Sequence, residues 1–418
     1  MVLVVTLKNL APRMRFKTCA SIDNIVFKLH YQMTVTLLLL FIVFVCARDY
    51  YGDHIKCLND KGVENQMINT YCFFMSTFTM PKYFDENLLK LGAIPHPGVG
   101  PYTENEETIS YKYYQWVPFV LFIQATCFYM PHYIWKKMEG GRVKMLVDGL
   151  KHATLSLNQE QDLDCKTGKI LSKESIKKKL NIITNDIILR LRLSKTWSTW
   201  LVAMEITNLL NIVVQIWVND ILLKGHFIGI GASVIAFYDT NAKIYPLDPI
   251  FPKVTKCVFW KYGPSGSLQN QDAMCVMGLN IIHEKIYTIL WFWFLFIFIV
   301  SVLAVMWRIC SFFCFRLSLR YTEVMFWQAS AGKLNKDDVI RVVNGCEYEN
   351  CLFLHYMYKN MEPQLFQVVF ALVAQELKNM QESNYNCLTQ RKTKTDLQFV
   401  DNIGFKDEIL PLKGGSSS

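Results

Sequence analysis

Residues 113–135 read YYQWVPFVLFIQATCFYMPHYIW. Two tyrosines, a glutamine, a tryptophan and a proline stand at the head of an apolar run. A helix crosses a bilayer in about 20 residues, with about 17 as the lower limit, so this run is long enough. A core helix of a soluble protein rarely spends Tyr and Trp together at its entrance, because their O–H and N–H groups need partners once buried. At a membrane boundary each ring offers an apolar body to lipid and a polar tip to water. Tyr113, Tyr114, Gln115, Trp116, Val117 and Pro118 therefore read as an interfacial anchor leading into a helix. Pro118 and the deeper Pro131 each remove a backbone donor, which starts or kinks that helix.

Three further apolar runs follow this pattern: Tyr31–Ala47, Trp200–Val218 and Ile286–Trp307. The first is short and the third contains Glu205, so the second and fourth carry most of the membrane reading. Composition agrees. Of 418 residues, 52% are hydrophobic, 14% aromatic and only 19% charged, against about 25% charged in soluble domains. Mean hydropathy is +0.17. Four buried helices of a large soluble protein are the alternative. The opening patch Met1–Leu7 is too short for a signal peptide core, and its basic residues follow instead of preceding it. Residues 414–418 (GGSSS) look like an appended linker.

The spans divide the chain into an amino-terminal segment (1–30), first span (31–47), first loop (48–113), second span (114–136), middle segment (137–198), third span (199–218), second loop (219–284), fourth span (285–307) and a carboxy-terminal region (308–413). Residues 1–30 hold five Lys/Arg and one Asp, and residues 136–197 hold fourteen against seven Asp/Glu. Residues 48–113 hold six against nine, and residues 219–284 five against five. Basic segments resist translocation, so both termini and the middle segment are expected in the cytoplasm. The basic excess then faces anionic inner-leaflet lipid, and no nucleic acid need be invoked. Of 13 cysteines this topology puts four outside: Cys57 and Cys72 in one loop, Cys257 and Cys275 in the other. Even counts in an oxidising compartment suit two disulfides, and spacing leaves all three connectivities open.

Within the second loop, alternation over Val254–Trp260 reads as a strand and Gly263–Gly266 as its turn. An ordinary surface hairpin is the plainer account. Residues 173–195 place Ile176, Leu180, Ile183, Ile187 and Leu191 on one helical face, for packing in a helical layer or for binding membrane or calmodulin. Asp337–Val343 and Pro363–Leu377 are also helix-like. On the third span Glu205, Asn208, Asn211 and Gln215 fall on one stripe, which faces either a neighbouring helix or a water-filled path. Cys310 and Cys314, just inside the fourth span, are plain thiols or palmitoylation sites. No HExxH, GxSxG, GxGxxG or phosphate-binding loop occurs, and no Cys/His set has zinc-finger spacing. Neither enzyme, cofactor nor metal is therefore expected.

YYQWV at 113–117, NTYCFFMSTFTMP at 69–81, FPKVTKCVFWKYGPSGS at 251–267, LNIIHEKIY at 279–287 and WFWF at 291–294 together resemble the innexins, the invertebrate gap-junction proteins. The likeness runs from about Leu7 to Leu377 and is nearest to arthropod members. Two cysteines per loop fit this family and not connexins, which use three. The resemblance implies an all-α membrane protein of four transmembrane helices with a small disulfide-bonded αβ extracellular cap and a helical cytoplasmic dome. It implies the pairs Cys57–Cys275 and Cys72–Cys257. It further implies a homo-oligomeric ring, of eight subunits, docking with a ring of an adjacent cell and pairing with other innexins. In that frame the amino terminus folds into the pore, with Val2, Val5, Thr6 and Asn9 as lining candidates.

The expected function is a plasma-membrane gap-junction channel passing ions and small metabolites. A pannexin-like undocked hemichannel keeps the fold without the docking. A four-span adhesion or scaffold protein is the reading from another class. Tetraspanins, with unequal loops and a CCG motif, and claudins, with the disulfide in the first loop, both fit the cysteine pattern poorly. A dimeric transporter lacks support, since no inverted repeat with broken helices is visible.

Overall fold

The computed structural model describes residues 22–51, 55–58, 65–103, 106–145, 194–239, 244–318, 334–360 and 369–379, with 320, 321, 324, 326, 366 and 367. The chain divides into two compact units. One comprises Asp23–Gly140 and Trp200–Cys310; the other comprises Met1–Ile22, Gly141–Thr199 and Ser311–Ser418.

Four helices are long and apolar enough to cross a membrane: Ile25–Ala47, Val117–Glu139, Thr196–Leu222 and Gly278–Leu317. Each runs beyond the apolar stretch that marks it in the sequence. The first reaches back to Ile25 because Asn24 caps it, its side chain accepting from the Ile25 N–H. His30, which breaks the apolar run, is buried and pairs with Ser301 at 2.8 Å. Residues Leu29–Thr34 form a π-helical turn. There the Thr34 hydroxyl donates to Leu29 O at 2.8 Å and accepts from Trp293 Nε1 at 3.0 Å. The fourth helix has 40 residues, or about 60 Å at 1.5 Å per residue, twice the hydrocarbon thickness.

The core between these helices holds Leu38 and Phe41 from the first, Leu121 and Phe128 from the second, Ile212 from the third and Phe294 from the fourth. The outer faces are equally apolar. Phe44, Phe122, Val214 and Leu303 are all exposed. Side chains of this kind in continuous bands belong against lipid or a neighbouring subunit. A short helix, Ile230–Asp239, lies against the fourth span at Gly231. A Cβ on Gly231 would stand 2.1 Å from the Trp291 ring. Only glycine permits that approach, and it lets Trp291 Nε1 donate to Ile228 O at 3.0 Å.

Both loops build one antiparallel sheet at the end of this bundle. Its strands are β1 (Lys56–Leu58), β2 (Thr77–Thr79), β3 (Ile109–Tyr111), β4 (Val254–Tyr262) and β5 (Leu268–Val276), in the order β1-β5-β4-β2-β3. The first loop thus supplies both edges and the second loop the central hairpin. β4 covers the strand expected from alternation and continues two residues further. Its register with β5 runs from Val254↔Val276 to Tyr262↔Leu268. The turn closes where expected, Gly263 N–H donating to Ser267 O at 2.7 Å, with Gly266 at φ +80°.

In the second unit Lys336–Gly345 and Tyr348–Lys359 are helices, and residues 369–379 are helical. Cys351, Leu352, Phe353, Leu354, Tyr356 and Met357 are all buried. A helix apolar all round lies inside its unit. Trp197 packs its ring on Phe353 and Tyr356, at 5.2 and 5.4 Å between centroids. The helix expected over 173–195 lies outside the described residues.

Candidate functional site

The cap is held by two disulfides, Cys57–Cys275 and Cys72–Cys257. Cys57 and Cys275 face each other directly in the β1–β5 register. Cys72 reaches β4 from the helix Asn65–Met75. All four are buried beside Ile55, Ile68, Tyr111 and Met277. Each bridge joins one loop to the other, over 218 and 185 residues of chain. The Sγ atoms of Cys57, Cys72 and Cys275 lie within 4.8 Å of one another. All three are consumed in disulfides, which leaves no thiolate there to ligate a metal.

Polar contacts add to the covalent ones. Lys256 on β4 is buried, donates to Gly100 O at 2.9 Å and pairs with Asp272 at 2.6 Å. Tyr111 donates to Pro249 O at 2.7 Å and shares a bond with the Thr79 hydroxyl at 2.9 Å. Burial pushes the Tyr111 phenol up to about 12. At the hairpin's far end Trp260, Tyr262 and Leu268 are exposed. Each is large, apolar and unsupported by the cap core.

YYQWVP is more than an interfacial anchor. Tyr113–Gln115 form a 3-10 turn before the second span. Tyr114 donates to Phe73 O at 2.9 Å and Gln115 Nε2 to the same carbonyl at 2.8 Å. Tyr113 donates to Asn280 Oδ1 at 3.1 Å, and Asn280 Nδ2 donates to Pro252 O at 2.9 Å. These tyrosines sit inside the protein, where backbone and amide oxygens take the place of water. Burial holds the Tyr113 phenol well above its ordinary range. Trp116 alone behaves as an interfacial ring, with 61% of its surface exposed. Pro118 falls in the first turn of the helix, where its lost donor costs nothing, and Pro131 lies within it.

The polar stripe of the third span turns toward protein at its charged end. Glu205 accepts two hydrogen bonds from Arg308, Nε to Oε2 at 2.8 Å and Nη2 to Oε1 at 2.6 Å. Asn24 Nδ2 approaches Glu205 Oε1 at 3.5 Å. Asn208 and Gln215 are buried, and Gln215 Nε2 donates along the helix to Asn211 Oδ1 at 3.3 Å. Asn219 extends the stripe, its Oδ1 accepting from Gln124 Nε2 of the second span at 2.8 Å. Sequence reasoning missed Arg308, placing it in the carboxy-terminal region. The available signal was the buried acid itself, which needs a cation. Val2, Val5, Thr6 and Asn9 lie outside the described residues.

Comparison with known proteins gives one answer. The innexin family model matches residues 23–377. The chain is 41% identical to innexin inx7 of Drosophila melanogaster over 370 residues, 88% of this chain and 83% of that protein. It is 36% identical to innexin inx2 of the same fly over 367 residues, 87% and 93% of the two chains. Innexin shaking-B is 33% identical, over 89% of this chain and 93% of its own length. The two-loop disulfide cap on four apolar helices thus stands in a chain that belongs to the innexin family.

Proposed function

We propose that this innexin forms a homo-oligomeric ring, of eight subunits by family resemblance, whose cap docks onto the ring of an adjacent cell. Innexins are gap-junction channel proteins, and the role of this chain is that of a gap-junction subunit. The observation that carries the docking reading is the cap itself. Both loops share one sheet, two bridges tie them, and exposed Trp260, Tyr262 and Leu268 stand at the hairpin tip. Rigid aromatic anchors presented on a stapled scaffold suit a protein–protein contact. The channel passes ions and small metabolites passively, and its membrane face binds lipid. The charge bias of residues 1–30 and 136–197 supports cytoplasmic termini and a cytoplasmic second unit. No enzymatic step is assigned to a member of a channel family.

Dye transfer between paired cells, measured beside dye uptake by single cells, tests this reading. Transfer between pairs with little uptake is expected. Uptake without transfer would make the protein an undocked hemichannel, and neither would make it a scaffold.

A further inference from the structure

A cavity of about 690 Å³ opens where the cap meets the second and third spans. Its wall includes Tyr111, Trp116, Ile221, Leu223 and Ile250. Trp116 immediately precedes the second span, and Ile221 lies in the last turn of the third. The chamber therefore sits at the cap-side edge of the hydrocarbon layer. Its mouth continues the lipid-facing surface, because Trp116 packs on exposed Phe119 with ring centroids 6.2 Å apart. Ile221 in turn stands one helical turn beyond exposed Trp217.

Lys112 and Lys224 stand in the same wall. Among the described residues neither takes part in an ion pair, whereas Lys253 and Lys256 nearby both do. Lys224 Nζ donates to Ser110 O at 3.1 Å. Its backbone has φ +54°, a left-handed conformation that residues with a Cβ seldom adopt. Glycine is the usual residue where a helix ends this way, and Gly225 follows directly. A lysine in a left-handed position, outside any ion pair among the described residues, at the rim of an apolar chamber points to a ligand that carries a phosphate on a hydrocarbon body.

We propose that this cavity binds a glycerophospholipid of the cap-side leaflet, one acyl chain in the chamber and its phosphate against Lys112 and Lys224. Three observations select a lipid over a second copy of the chain. The chamber lies at headgroup depth, its mouth is continuous with the lipid-facing band, and its rim carries cations that suit a phosphate. The wall is mostly apolar, so an acyl chain gains by leaving water for it. The lipid braces the junction that YYQW makes between cap and membrane helices. The proposal needs four membrane spans and is independent of docking.

The test uses the full-length chain in vesicles of phosphatidylcholine bearing a photoactivatable diazirine within one acyl chain. After irradiation and digestion, adducts are mapped by mass spectrometry. Residues 109–116 and 221–226 should carry adducts well above those on the exposed face of the fourth span at Phe296 and Leu303. Lys112→Ala with Lys224→Ala should lower cavity labelling severalfold, because two charge-assisted lysine–phosphate hydrogen bonds are lost. Ile250→Trp should also lower it by filling the chamber, with labelling at Phe296 unchanged in both variants. The two lysines are exposed, so their variant tests the site even if the filled one fails to assemble. Cavity labelling no stronger than at Phe296, or unchanged in the lysine variant, would overturn the proposal. So would photocrosslinks between subunits, in place of lipid adducts, from a photoreactive residue at Ile221.

Discussion

Arg308 grips Glu205 in a two-pronged ion pair at 2.6 and 2.8 Å, joining the fourth span to the third. Both side chains are largely buried, at 15% and 8% exposure. Removing Arg308 takes the charged partner from Glu205 in a poor solvent, and breaking a buried pair in this way costs about 3–5 kcal/mol. Arg308→Leu and Glu205→Leu should each strongly reduce thermal stability and surface expression. Together they should cost less than Arg308→Leu alone, because the Glu205 charge is removed along with its partner. Additive losses in the double variant, read from melting of the purified ring, would show that the pair is not coupled.

The disulfides carry the second prediction. A disulfide typically stabilises by roughly 2–4 kcal/mol, and chain entropy puts bridges across loops this long at about 5 kcal/mol. Cys72→Ser frees the helix Asn65–Met75 from β4, and Cys57→Ser frees the edge strand β1. Either should abolish electrical coupling between paired cells, while Cys165→Ser should leave it intact. Normal coupling by Cys72→Ser would show that the stapled cap is not needed for docking.

The four spans were legible because lipid demands a compositional signal that no tertiary contact can mask. The cap hairpin was legible because β4 alternates and its turn is glycine-rich. The disulfide pairing came from resemblance alone, since spacing does not encode which strands meet. The burial of Tyr113 and Tyr114 was misread for a physical reason. A phenol wants either water or a carbonyl at its tip, and the sequence does not say that Phe73 O waits there. Arg308 was invisible as a partner because its 103-residue separation from Glu205 is bridged only by folding. Tyr348–Lys359 was passed over because a helix buried on every side lacks the amphipathic period that marks Lys336–Gly345.

The second unit offers a test by chemistry. Burial pushes the Cys346 thiol up to about 11 and holds Cys351 well above the ordinary range. At pH 8 about a thousandth of a thiol at 11 is thiolate, against about a quarter of one at 8.5. Iodoacetamide should therefore modify Cys346 slowly near neutrality, and the rate should climb about tenfold per pH unit toward 10. A raised folded value also means that the stability gained by keeping the Cys346 thiol neutral is present below about 8.5. It is lost as pH rises through about 11. Rapid, pH-insensitive modification of Cys346 in the intact protein at pH 7 would contradict its packing.

The last prediction concerns the pore. MVLVVTLKNL opens the chain, mostly apolar and too short to span a bilayer. A helix of about ten residues is marginal in water and needs a surface to lie on. The inner leaflet is one such surface, with Lys8 among the headgroups. The interior of the ring is the other, and family resemblance favours it. We propose that Val2–Leu10 line the cytoplasmic entrance, with Thr6 and Asn9 toward the lumen. A ring repeats each side chain once per subunit, so one substitution changes the field around the whole circumference. Thr6→Asp should shift permeability toward cations and alter unitary conductance without changing surface expression. Wild-type conductance and reversal potential in an expressed Thr6→Asp channel would put the segment on the membrane and leave the entrance to other residues.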